Sequence, residues 1–90
     1  NLLIDADRRE VRVGGEPVEM RAQEFEVLWA LAKHCGKVLS PEQLLNLAWG
    51  YDFYGQTRTV DMHIAQLRRR LTGSTVHIET VTGVGYKLVG

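Results

Sequence analysis

Residues 58 to 71, RTVDMHIAQLRRRL, constrain this chain more than any other stretch. At 3.6 residues per turn, Val60, Ile64, Leu67 and Leu71 fall within one narrow arc, while Arg58, Met62, Ala65, Gln66 and Arg69 lie on the far side. The apolar stripe must pack inward. The opposite face, closed by a run of three arginines, is left free to dock. That build suits a helix for nucleic acid, although most amphipathic helices with charged outer faces are merely solvated.

The 90 residues suit one domain spanning the whole chain, and a domain this small needs regular, well-packed elements. No apolar run approaches the roughly 18 residues of a membrane span, and no signal peptide is visible. The single cysteine, Cys35, rules out an internal disulfide, so the cytosol is the expected compartment. Its place at the end of an apolar helical stripe predicts a buried, inert thiol. Net charge is zero, but residues 1 to 26 hold seven acids and four bases, whereas residues 27 to 90 hold four acids and seven bases. The basic part carries the helix described above. A near-neutral domain binds nucleic acid if its few positive charges converge, and then weakly when alone.

Leu2 to Ile4 and Glu10 to Val13 read as short strands joined by a polar turn at Asp5 to Arg9. Gly14 and Gly15 supply the positive φ angles of a tight primed hairpin turn, and Pro17 to Met20 is expected to return as a further strand. From Glu24 the period changes. Phe25, Leu28, Leu31, Ala32 and Cys35 recur at helical spacing until Gly36. Ser40, Pro41 and Gln43 are the clearest helix start in the chain, with a cap, a proline at the first helical position and a capping box, flanked by Leu39 and Leu44 as a staple. That second helix runs to about Trp49, where Gly50 stops it, and residues 50 to 57 form an aromatic loop. After the third helix, Thr72 to Ser74 break the chain. Val76 to Val81 and Tyr86 to Val89 are the arms of a final hairpin whose turn carries Thr82, Gly83 and Gly85.

The order is an N-terminal antiparallel sheet, three helices and a C-terminal β-hairpin: an α+β chain with the plan of a winged helix-turn-helix. In that plan the third helix enters the major groove and the hairpin wing lies alongside.

Read in order, the residues resemble the DNA-binding output domain of OmpR/PhoB-type response regulators from bacterial two-component systems. The resemblance covers essentially the whole chain. It rests on Glu24 and Phe25 with Leu28, on Gly36 to Ser40 followed by Glu42 to Leu45, and on Trp49 and Gly50. It rests most heavily on Arg58 to Asp61, His63, Ile64, Leu67, Arg68 and Leu71, then Ile78, Thr80, Val81, Gly83, Gly85 and Tyr86. It implies a phosphorylation-controlled transcription factor whose receiver domain would precede Asn1, dimeric on direct-repeat promoter sites and monomeric as an isolated domain. By the same resemblance, Arg58 and Thr59 meet phosphates at the start of the third helix, and Met62, His63 and Gln66 face base edges. Arg68 and Arg70 neutralise DNA backbone, and Thr82 and Tyr86 belong to the wing. The loop residues Tyr51, Asp52, Phe53 and Tyr54 form a surface for RNA polymerase.

Departures from the family pattern are informative. Arg21 and Ala22 stand where a threonine and a proline usually open the first helix, so its cap is missing or supplied differently; a lost cap typically costs about 1 kcal/mol. Pro41, Ala65, Gln66 and Thr82 stand where basic residues are frequent, and threonine does not fill a narrow minor groove as arginine does.

Residue by residue, each functional reading has a plainer competitor. Gln66 matches adenine bidentately and Met62 suits a thymine methyl, or both face water. Arg69 points to solvent, phosphate or a base edge. For Arg68 a structural ion pair with Asp61 competes with DNA. Trp49 is expected in the core, its indole N–H directed to a phosphate at the groove edge, and the Tyr86 ring is expected to pack under the wing. Gly83 and Gly85 serve turn geometry. His34, His63 and His77 share no ligand spacing, so no metal is expected, and no cofactor either. No nucleophile motif or carboxylate pair suggests catalysis. The rival reading is a winged helix that no longer binds DNA and docks proteins through Tyr51, Phe53 and Tyr54.

Overall fold

The computed structural model describes residues 1–90. Strands β1 (Leu2–Asp5), β2 (Glu10–Val13) and β3 (Glu16–Pro17) are followed by helices α1 (Ala22–Lys33), α2 (Pro41–Trp49) and α3 (Arg58–Arg70). Strands β4 (His77–Val81) and β5 (Gly85–Val89) close the chain. The first three strands form an antiparallel sheet in the order β1-β2-β3, with Leu2 opposite Val13 and Val13 opposite Glu16. Gly14 and Gly15 make the connecting turn at φ of 58° and 85°, the paired positive values that a primed hairpin turn requires. The strand expected over residues 17 to 20 is shorter than its sequence suggests. Pro17 stands opposite Arg12 with its nitrogen facing away from β2, and beyond it only the Val18 N–H reaches back, to the Val11 carbonyl at 2.8 Å.

Helix α1 begins two residues before the period predicts. No threonine caps it; instead the Glu24 carboxylate, at the third helical position, accepts the Arg21 backbone N–H at 2.9 Å, which is the return arm of a capping box. It also ends early. Lys33 is the last helical residue and His34 turns out at φ −115°, so Cys35 lies beyond the stripe. Its thiol is exposed, contrary to the expectation of burial, and is directed at the Leu88 carbonyl 3.5 Å away. Helix α2 has the start its sequence specifies: Ser40 Oγ accepts from Gln43 N at 3.1 Å and Gln43 Oε1 accepts from Ser40 N at 2.8 Å.

Fifteen buried apolar residues make one core, with Leu28, Leu31, Leu44, Val60, Ile64 and Leu67 essentially without solvent contact. The α3 stripe is therefore covered by α1 and α2, while Ile78 and Leu88 close the core from the hairpin. Strands β4 and β5 pair from His77 opposite Val89 to Val81 opposite Gly85. The segment before α2 runs along β5 as a partial third strand. Gly36 N–H donates to Leu88 O at 2.9 Å, and Leu39 and Tyr86 exchange both backbone hydrogen bonds at 2.8 and 2.9 Å. The close approach explains Gly85, because a Cβ there would run into the Leu39 carbonyl. No helix is long and apolar enough to cross a membrane.

Candidate nucleic-acid interface

The polar residues of α3 divide by angle into a crest and two flanks. At 100° per residue, Arg58, Met62, Ala65, Gln66 and Arg69 gather opposite the buried stripe. Asp61 and Arg68 share the flank toward the hairpin, and Thr59, His63 and Arg70 share the flank toward α1 and α2. The side chains of α3 that bond back into the fold are those of Asp61, His63, Arg68 and Arg70, all of them on the flanks.

On the hairpin flank, Tyr86 Oη donates to Asp61 Oδ1 at 2.6 Å. Burial, reinforced by the hydrogen bond to Asp61 and its negative charge, and opposed by Arg68, pushes the Tyr86 phenol up to about 12 from 10.0. The phenol thus stays protonated and donating throughout the neutral range. Arg68 donates Nε and Nη2 to the Ile78 carbonyl at 3.2 and 3.0 Å and Nη2 to Thr80 Oγ1 at 2.7 Å, its guanidinium 5.8 Å from the centre of the Tyr86 ring. The ion pair between Asp61 and Arg68, one of the two readings the sequence offers for Arg68, does not form. They share a helix side but are drawn to different atoms of the wing, Asp61 to Tyr86 and Arg68 to the β4 backbone.

On the other flank, Arg70 Nε lies 2.6 Å from Glu24 Oε1, off the hydrogen-bond line, and Nη2 donates to Oε2 at 3.5 Å. The Glu24 side chain is 4% exposed, so this carboxylate holds the start of α1 and the end of α3 together from inside the protein. His63 Nδ1 lies 2.8 Å from the Thr59 carbonyl, which accepts only, so the proton sits on Nδ1. The imidazole meets Trp49 edge-on at 4.9 Å between ring centres, and Phe53 stacks on Trp49 at 6.0 Å and 23°.

The residues singled out in the sequence thus fall into distinct settings. Arg58, Met62 and Arg69 are exposed on the crest, with Met62 66% accessible. Gln66 is half-buried and, with Arg21, Glu24, Met62 and His63, lines a shallow recess of about 230 Å³. Thr59 and Trp49 are half-buried, His63 is turned inward onto Trp49, and Arg68 and Arg70 are held by the wing and by Glu24. Thr82 is exposed at the wing turn, and Tyr86 lies one pair from that turn, opposite Thr80 and bridged to Leu39. In the loop, Tyr51 and Tyr54 are 79% and 95% accessible, Asp52 is exposed, and Phe53 is partly covered by its stacking. Sequence reasoning did not identify Glu24 and Thr80 as partners of the arginines. Glu24 was visible only as the point where the helical period begins, Thr80 only as a strand residue, and both as parts of the family resemblance. Positive charge on this surface is sparse, since Arg70 is paired with Glu24 and Lys87 lies 3.8 Å from Glu79.

Three helices around one core, the third presenting an unpartnered crest beside a docked antiparallel hairpin, define the winged helix-turn-helix class of DNA-binding domain. Comparison with known proteins narrows the class. Residues 15–88 match the family described as transcriptional regulatory protein, C terminal. The chain is 46% identical over 88 residues to the transcriptional regulatory protein VxrB of Vibrio cholerae, an alignment covering 98% of this chain and 35% of VxrB. The DNA-binding domain of Bacillus subtilis CssR superposes with a TM-score of 0.86 at 31% identity, covering 98% of this chain and 99% of that one. The Klebsiella pneumoniae RstA DNA-binding domain, solved in complex with the RstA box, superposes with a TM-score of 0.85 at 35% identity, covering 98% and 90%. The chain belongs to the C-terminal DNA-binding domains of OmpR/PhoB-type response regulators, a family of transcription regulators and not of enzymes.

Proposed function

We propose that this domain binds a specific promoter sequence in double-stranded DNA, with the α3 crest in the major groove and the β4–β5 wing beside it. The observation that carries the reading is the division of α3: its flank side chains are fastened to the wing and to α1, while the crest has no role inside the fold. A helix held on both sides with its outer arc empty is a rigid reading head, and the RstA domain, alike in fold, was solved on its DNA box. Arg58 and Thr59 sit at the helix start, where phosphates would pass. Met62, Gln66 and Arg69 face the bases, with His63 and Trp49 as the supporting wall. Arg68 and Arg70 serve DNA chiefly by holding the helix, and Thr82 and Tyr86 set the wing against the adjacent backbone. The exposed tyrosines Tyr51 and Tyr54, with Asp52 and Phe53, offer RNA polymerase a contact surface.

The chain spans little more than a third of VxrB. The reading therefore includes a receiver domain in the full-length protein, cytoplasmic location, and dimers placed on direct repeats, the isolated domain being monomeric. Selection of genomic fragments by the purified domain at low salt tests it. A repeated motif should be enriched, weakened by Arg58→Ala and blurred by Gln66→Ala. Recovery of bulk DNA alone would favour the rival, a protein-docking module built on the exposed tyrosines.

A further inference from the structure

The crest is unusual in where its charge is absent. Its two arginines, Arg58 and Arg69, stand at opposite ends, eleven residues and about 16 Å of helix apart. Between them lie Met62, Ala65 and Gln66, none of which carries a charge. The other arginines of α3, Arg68 and Arg70, are turned away to Ile78 and Thr80 and to Glu24. His63 is folded onto Trp49, and Arg21, which comes from the start of α1 and not from the crest, shares the recess with Met62 and Gln66.

A thioether and a methyl have nothing to offer a phosphate. In the major groove the one apolar group that any base presents is the C5-methyl of thymine, so it is the one partner Met62 and Ala65 can bury surface against. The Gln66 amide, one turn beyond Met62, has one donor and one acceptor in the fork that matches N7 and N6 of adenine. Adenine and thymine are partners in one base pair, so all three residues specify the same pair. Four residues of helix advance about 6 Å, within two base-pair steps of about 3.4 Å each. Resting on the proposed function above, we infer that the centre of this crest reads a short run of A·T pairs through thymine methyls and one adenine edge, with Met62 as the methyl-reading residue.

The test uses the half-site recovered by the fragment selection. In matched duplexes each central thymine is replaced singly by deoxyuridine, which removes only the methyl, and binding is followed by fluorescence anisotropy for the wild type, Met62→Ala and Met62→Leu. Met62 is exposed, so neither substitution disturbs the core. Losing a buried methyl should weaken wild-type binding by about fourfold at one position. At that position Met62→Ala should bind the thymine and deoxyuridine duplexes alike, and Met62→Leu should keep the discrimination. A selected half-site with G·C pairs at its centre would overturn the inference while leaving the proposed function standing. So would a deoxyuridine penalty that is absent from the wild type or the same in Met62→Ala. Failure to select any sequence would overturn both.

Discussion

Arg68, Arg69 and Arg70 are consecutive and chemically identical, yet the two flanks of α3 hold two of them and its crest carries the third. On the hairpin flank, Arg68 is satisfied by neutral oxygens, the Ile78 carbonyl and the Thr80 hydroxyl. On the α1 flank, Arg70 meets a buried carboxylate. Arg69, 100° from each, meets no partner within the chain. Counting basic residues therefore overstates the charge available to DNA, and the helical angle of each decides its work. In a domain of zero net charge, two of the three consecutive arginines are thus engaged in holding α3 against its neighbours.

The comparison is broken most severely by removing what one flank leans on. Glu24→Ala should lose about 2 to 3 kcal/mol in urea unfolding, because it leaves Arg70 half-buried without its counter-charge and the Arg21 N–H without its acceptor. Gly85→Ala is expected to fall in the same range, through the Leu39 carbonyl, and to disorder the wing first. Arg68→Ala should cost about 1 to 2 kcal/mol by stripping bonds from the Ile78 carbonyl and Thr80. Arg69→Ala should change stability by less than about 0.5 kcal/mol. Its effect belongs in the salt dependence of binding, where a wild-type log-log slope of about −3 should become shallower by about one. If Arg68→Ala and Arg69→Ala behave alike in both assays, the division of labour between flank and crest is wrong.

A pH experiment sharpens the hairpin flank. The Tyr86 phenol is raised from 10.0 to about 12, so the folded state holds its proton more tightly than the unfolded chain does. The resulting stability is fully present below pH 10 and is lost as pH climbs toward 12. Tyr86→Phe should remove that alkaline decline and cost about 1 kcal/mol at neutral pH by leaving Asp61 without its donor. An unchanged alkaline unfolding profile in Tyr86→Phe would show that another group governs it.

What the sequence revealed follows the range of the interactions involved. The α2 capping box closes within four residues, and the α3 stripe needs only the helical period, so both were legible. Arg70 and Glu24 are 46 residues apart and Tyr86 and Asp61 are 25 apart; nothing local marks either pair, and both emerge only when α1, α3 and the hairpin meet. Asp61 and Arg68 looked like partners because a helix surface was considered without its neighbour. Cys35 was misplaced by two residues of helix, since periodicity does not report where a backbone leaves the helical conformation. The strand after Pro17 was overextended for a related reason: alternation continues to Met20, but the pairing ends after the Val18 N–H bond to Val11.

The bonding of Gly36 and Leu39 to β5 has a mechanical consequence. Leu39 immediately precedes the Ser40 cap, so force applied at the wing tip passes through two backbone hydrogen bonds into the first turn of α2, without a flexible hinge between them. Displacing the wing would therefore pull on the residue that precedes the α2 cap.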